Sequence, residues 1–222
     1  MLTSDSGAFS DADLDALDPL PSTPWFRASL VMSVDGVIAV DGDSSALSGP
    51  ADRMVYRHLR EQSDAIVVGA TTGQHPAYAR LSSTLVIVST SGSIQTHAER
   101  PIIITTTEGA RLAREQLPAA TVIDAGEQRV DLRLAHARLV ERGFQRILCE
   151  GGPTLLHGLL EDGLIDEICL TLSPQLVGSG PGLLPGAFRA PLALTRAAEH
   201  EGMLFLRYRV LPLEAEGGRM SP

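Results

Sequence analysis

Eight short apolar runs alternate along this chain with stretches whose apolar residues fall three and four apart, and few architectures accommodate that alternation. The runs are RASLVMSV (27–34), AIVVG (65–69), TLVIVS (84–89), PIIITT (101–106), TVID (121–124), RILCE (146–150), EICLTL (167–172) and MLFLRYRV (203–210). They have the length and composition of strands. AIVVG and TLVIV are apolar without a break, as expected of strands covered on both faces. Segments 51–62, 108–117, 129–143 and 153–163 carry the spacing of amphipathic helices. Strands and helices taking turns predict an α/β layered fold with a central, largely parallel sheet flanked by helices. No long helix separates the last two runs, so an antiparallel edge is expected there. The charges of segment 129–142 read as a solvated outer face, closed by Gly143 as a C-cap glycine.

The chain has 222 residues, 44% of them hydrophobic, enough to bury the core of one domain. That domain is expected over 25–213. Residues 1–24, rich in Ser, Asp and Pro, read as a flexible or loosely docked acidic tail, and 214–222 as a second flexible tail. A formal net charge of −9, with no local run of Lys and Arg, lacks the electrostatic footprint of a general nucleic-acid binder. No window approaches the roughly 18 apolar residues of a membrane span. The first 26 residues carry acids but no positive stretch of a secretory signal. The two cysteines, Cys149 and Cys169, lie inside apolar runs and read as core thiols of a reducing compartment, so a cytoplasmic location is expected.

Chemistry concentrates at three glycine-bearing turns. In RILCEGGPTLL, Glu150 ends a strand, Gly151 and Gly152 let the backbone approach a ligand closely, and Pro153 suits a first helical turn. A helix start reached through two glycines offers N–H donors and a positive dipole end, the makings of an anion site. Tight packing alone also accounts for such glycines. Glu150 would repel a phosphate, so beside an anion site it is expected to face a substrate amine or ring nitrogen instead. In AIVVGATTG, Gly69 followed by Thr71 and Thr72 fits either a cofactor at the carboxyl end of the sheet or an ordinary turn. SVDGVIAVDG, with Asp35-Gly36 and Asp41-Gly42, has good turn dipeptides. Neither spacing matches a P-loop or a GxGxxG fingerprint.

The six histidines form no HExxH or Cys/His cluster, so no zinc site is expected, and no GxSxG elbow supplies a nucleophile. His157, in the middle of a helix, reads as structural rather than catalytic. His75, in a loop, is open to either role.

Taken in order, the blocks SVDGVIA, LSGPADRMVYRHLREQSDAIVVGATT and RILCEGGPTLLHGLLEDGLIDEICLTLSPQLVGSG resemble the pyrimidine-reductase domain of bacterial riboflavin biosynthesis, over about 27–182. The resemblance implies a dihydrofolate-reductase-like fold and an NADPH-dependent reductase acting on a phosphoribosylaminopyrimidine. The deaminase half of the bifunctional family, with HxE and PCxxC, has no counterpart in the sequence, so a stand-alone reductase is implied. By the same resemblance Gly151, Gly152, Pro153, Thr154, Leu155 and Leu156 would hold the cofactor pyrophosphate. Val31, Ala46, Gly69, Thr71 and Thr72 would lie along the cofactor, and Ser89 would face its adenosine ribose. Glu150, Ser44 and Arg60 would meet the substrate, and Asp35 would sit by the hydride-transfer site, making Asp35 and Glu150 the catalytic candidates. Direct hydride transfer needs stacked rings and a proton source but no nucleophile or metal.

Two departures stand out. The loop TTGQHPAYARL is shorter than the family's and has His75 in place of an acid; Tyr78 takes a leucine's place and Arg80 is left for the ribose phosphate. VSTSGS (88–93) offers hydroxyls but no arginine for a 2′-phosphate. The altered loop leaves open a reductase of dihydrofolate, a pterin or another heterocycle, as well as a nucleotide-binding relative without turnover, and the missing arginine leaves NADH open beside NADPH. A homodimer pairing through its sheets is expected, with MLFLRYRV either at that interface or completing the core.

Overall fold

Successive strand residues point to opposite faces, and the central strands of this chain are apolar on both. In the computed structural model, which describes residues 9–19 and 24–212, they meet in one sheet. Its strands are β1 (Trp25–Ser33), β2 (Ala65–Gly69), β3 (Thr84–Val88), β4 (Ile102–Thr105), β5 (Thr121–Asp124), β6 (Arg146–Cys149), β7 (Glu167–Ser173), β8 (Leu192–His200) and β9 (Met203–Val210). Their order is β5-β4-β3-β2-β6-β1-β7-β9-β8. Neighbours from β5 to β7 pair in parallel, whereas β9 runs antiparallel to both β7 and β8.

Helices α1 (Asp11–Leu17), α2 (Pro50–Glu61), α3 (Thr107–Gln116), α4 (Leu132–Glu141) and α5 (Pro153–Glu161) cover the two faces. Ala65 and Val67 of β2 join Ala135 and Leu139 of α4 and Leu155 and Leu159 of α5 in one core. Ile66 and Val68 join Leu14 and Leu17 of α1, Val55 and Leu59 of α2 and Ala113 of α3 in the other. The same alternation runs through Ile102, Ile103 and Ile104 of β4, which explains why these strands read as unbroken apolar runs.

The structure departs from the sequence-based expectation at two places. β8 was not expected: LALTRAAEH is an edge strand whose outer residues face solvent, so its apolar signal is diluted. The sheet therefore ends at β8, and β9 is an interior strand that completes the core. The second departure is within the expected 1–24 tail, in which Asp11–Leu17 form a helix docked on the sheet. Ser10 caps α1 in a reciprocal capping box with Asp13, Leu14 and Leu17 are buried, and Phe9 stacks on His200. Residues 1–8, 20–23 and 213–222, including the expected C-terminal tail, lie outside the described residues.

A buried ion pair fastens this segment. Asp18, 0% exposed, accepts two hydrogen bonds from the guanidinium of Arg207 on β9, one from Nε and one of 2.7 Å from Nη2. Asp18 and Pro19 lend their carbonyls to Gln62 and Arg27, and Arg27 pairs with Glu167 at 2.6 Å across β1 and β7. Removing one member of a buried pair leaves the other charge uncompensated. Asp18→Ala is therefore expected to lower the unfolding free energy by about 3–5 kcal/mol, measured by urea denaturation. A loss under about 1 kcal/mol would show that Arg207 is satisfied without the clasp.

Candidate functional site

The topology determines where a ligand can enter. β1 leads to α2 on one face of the sheet, while its parallel neighbour β6 leads to α5 on the other. Adjacent strands whose connections part in this way leave a crevice at their carboxyl ends, the usual ligand site of open α/β sheets. Ser33 closes β1 there and Cys149 closes β6, so the SVDG and EGGP turns flank the crevice. Gly69 of β2, the next strand, sits beside them.

Gly151 and Gly152 take φ of 98° and 72°, a left-handed succession that side chains rarely adopt. It turns the chain straight into α5. Gly152 is the N-cap and provides no side-chain cap, and Pro153 at the first helical position has no N–H, so the Thr154 and Leu155 amides stand at an uncapped helix start. The Gly69 amide donates to the Gly151 carbonyl at 3.2 Å. A Cβ at Gly152 would lie 3.7 Å from Gly69 Cα and 3.8 Å from Thr72 Oγ1, so the two glycine turns and Thr72 approach one another closely. The amides of the uncapped helix start are donors suited to an anion such as a dinucleotide pyrophosphate. Leu155 and Leu156 take part only through their backbone, since both side chains are buried in the core.

Glu150 occupies a different environment from that of a free substrate ligand. Its Oε1 accepts from Arg60 Nε at 2.6 Å, and its Oε2 from Arg60 Nη2 at 2.7 Å, Tyr56 at 2.6 Å and Tyr78 at 2.9 Å. The side chain is 2% exposed. Arg60 lies over the Tyr56 ring at 4.1 Å and the Tyr78 ring at 5.0 Å. Burial, reinforced by the Glu150 charge, pushes both tyrosine pKa values up, so their hydroxyls stay protonated donors. Burial acts to lower the Arg60 pKa, but its bond to Glu150 outweighs this and raises it. Glu150 is thus held in an internal ion pair, and Tyr78, 5% exposed, is likewise turned inward.

Asp35, expected by the hydride-transfer site, stands exposed in the turn after β1. Its carboxylate accepts from Ser33 Oγ at 2.6 Å, from the Gly178 amide at 2.7 Å and from the Val177 amide at 3.2 Å. The Ser33 hydroxyl and then the two amides hold its pKa down to about 2, so it is ionised at neutral pH. Its geometry is that of an anchor tying the segment after β7 to the turn after β1.

The remaining candidates spread around this edge. Val31 is half-buried on β1, Ser44 and Ala46 are exposed in the loop before α2, and the Ala46 carbonyl accepts from Gln175 at 3.0 Å. Thr71 and Thr154 are exposed. Ser89 is buried past the end of β3, its hydroxyl 3.4 Å from that of Ser91. Arg80 is exposed at the end of its loop, while His75 caps the Ala77 amide through Nδ1 at 3.2 Å. His157 packs on Phe188, 3.3 Å from Glu161, as a structural histidine does. Both cysteines are free and buried, the Cys149 thiol pushed up to about 12 by burial. Tyr56, Val177 and Gly178 were not anticipated. Only Tyr56 left a signal, its spacing of four from Arg60 on one helix.

A family model described as the RibD C-terminal domain matches residues 24–201. The 2,5-diamino-6-ribosylamino-4(3H)-pyrimidinone 5′-phosphate reductase of Methanothermobacter thermautotrophicus is 33% identical over 179 residues, covering 70% of this chain and 80% of its own. A pyrimidine reductase-like protein from Corynebacterium diphtheriae superposes with a TM-score of 0.76 at 23% identity, over 85% of this chain and 92% of that one. Dihydrofolate reductase from Enterococcus faecalis does so with a TM-score of 0.51 at 14% identity, over 84% and 96%. The fold is thus dihydrofolate-reductase-like.

The anchoring role of Asp35 has a pH signature. A depressed carboxylate contributes stability that is complete above its ordinary pKa of 3.8 and is lost as pH falls through its folded value of about 2. The amide resonances of Val177 and Gly178, followed by NMR, are expected to be constant above about pH 5 and to titrate with a midpoint near 2. A midpoint above 4 would contradict the anchor.

Proposed function

The chain belongs to the RibD C-terminal domain family, and on that premise we propose that it is an NADPH-dependent reductase that transfers a hydride to a phosphoribosylaminopyrimidine of riboflavin biosynthesis. The observation that carries this reading is the uncapped start of α5, reached through Gly151 and Gly152 and facing Gly69 at the crevice. Backbone amides of Thr154 and Leu155 receive the pyrophosphate there, and Thr71 and Thr72 border the same space. Ser89 stands by the adenosine ribose. A bound reduced nicotinamide supplies the hydride. Val31, Ser44 and Ala46 line the β1 side, where the rings stack. Arg80 offers the substrate phosphate its guanidinium, and Asp35 keeps the far wall of the crevice in place through Val177 and Gly178.

The reading takes the protein as a cytoplasmic homodimer. Its exposed edge is β8, where Leu192 and Leu194 are 43% and 56% exposed. Pairing through that edge is the arrangement to test by light scattering.

One observation favours a second reading. His75 caps its own turn and Tyr78 is buried, so of the altered loop Arg80 is the side chain offered to a ribose phosphate. A pterin or dihydrofolate needs no such grip. Purified protein mixed with NADPH and with the 2,5-diamino pyrimidinone ribosyl phosphate, the 5-amino uracil analogue or dihydrofolate separates the readings. Loss of nicotinamide absorbance with either phosphate supports the first, loss with dihydrofolate alone supports the second, and loss with none contradicts both. Gly152→Val, which puts a branched side chain at φ 72°, is expected to weaken NADPH binding by at least about tenfold. An unchanged dissociation constant would remove Gly152 from the cofactor site.

A further inference from the structure

The loop from Ala70 to Arg80 carries three of the proposed contact residues but has little holding it down. Of its eleven residues only Gly73 and Tyr78 are buried. Gly73 lies close to the Ile87 and Val68 side chains and brings no polar side chain to fix its direction. Tyr78 has one: its hydroxyl reaches across to Glu150 Oε2 at 2.9 Å, onto the residue that immediately precedes the Gly151-Gly152 turn. The acceptor is itself rigid, because Arg60 grips both carboxylate oxygens from α2 and lies over the Tyr78 ring. Thr72, six residues earlier in the same loop, lies beside Gly152, its Oγ1 3.8 Å from where a Cβ at Gly152 would sit.

We propose that Tyr78 is a positioning residue, a latch through which the Glu150–Arg60 pair holds the Thr71–Arg80 loop against the Gly151-Gly152 turn so that Thr71 and Thr72 close over the cofactor. The inference rests on the reading of the glycine turn as the cofactor site. It gives the buried acid a task other than touching substrate, that of orienting a loop on one side and the glycine turn on the other. A hydrogen bond to a buried charge is stronger than a neutral one, and it ties two segments 72 residues apart. Without it the loop keeps its buried ring but loses its direction.

Tyr78→Phe removes the hydroxyl alone and keeps the ring in its core site, and circular dichroism and thermal unfolding establish that the variant is folded. Two readouts follow. Hydrogen exchange of the loop amides between 71 and 79 is expected to rise about tenfold in the variant. In parallel the NADPH dissociation constant is expected to rise about tenfold, while kcat at saturating cofactor changes by less than about twofold. Glu150→Asp, which keeps the charge opposite Arg60 and shortens the reach to Tyr78, is expected to raise exchange over the same amides and serves if the tyrosine variant does not fold. Unchanged exchange and unchanged cofactor affinity in Tyr78→Phe would overturn the latch, and so would a fall in kcat with both readouts unmoved, which would place the hydroxyl in the chemistry. Faster exchange with unchanged NADPH affinity would also overturn it as a cofactor device. If the wild-type protein binds NADPH but turns over none of the three substrates, the functional reading fails while exchange and affinity still decide the latch. If it binds no NADPH, both fail.

Discussion

A carboxylate cannot remain charged in a protein interior unless its partners replace the water it has lost. Glu150 sits at the carboxyl end of β6 with almost no exposure, and the crevice is organised by the way that requirement is met. Arg60 supplies two bonds and the positive charge, Tyr56 and Tyr78 supply two more donors, and the guanidinium face is covered by both rings. Three segments, α2, the loop after β2 and, 72 to 90 residues further on, the turn after β6, are thereby fixed to one point. The glycine turn that follows Glu150 starts from that fixed point, which is what preorganisation of a binding site requires.

The molecule uses the same device a second time, for a different end. Asp18 and Arg207 form a fully buried pair that draws the N-terminal segment onto the sheet, next to the Arg27–Glu167 pair. The matched family region begins at residue 24, so the clasp from 9 to 19 lies outside it. Buried ion pairs contribute little net stability compared with apolar packing, but they are intolerant of losing one member. Both pairs therefore act as specifiers of position: one says where the N-terminal helix docks, the other where the crevice loops stand.

How much of this was readable beforehand follows from which signals are local. The unbroken apolar runs of β2 and β3 gave strands at or within one residue of their bounds, because continuous burial leaves a continuous signal, while TVID, buried only at Ile123, was legible from its β-branched composition. β8 was invisible, since an edge strand with polar outward residues resembles a loop. α1 was invisible for another reason: its four aspartates within residues 11–18 read as a solvated tail, and the partner that buries the last of them lies 189 residues away. The site shows the same split. The Gly-Gly-Pro helix start was legible because its geometry is dictated by the residues themselves. The fates of Glu150 and Asp35 were not, because a carboxylate in a sequence does not reveal whether its donors come from a ligand or from Arg60, Tyr78, Val177 and Gly178.

On the proposed function, Glu150-Gly151-Gly152 divides its labour: the glycines and the start of α5 receive a pyrophosphate while the acid holds the protein's own loops. A crystal structure of the protein with oxidised NADP bound tests this. Pyrophosphate oxygens are expected within hydrogen-bond distance of the Thr154 or Leu155 amide, with Glu150 still paired to Arg60 and Tyr78. A pyrophosphate seated elsewhere on the sheet edge, or a Glu150 released from Arg60 to meet the ligand, would contradict it.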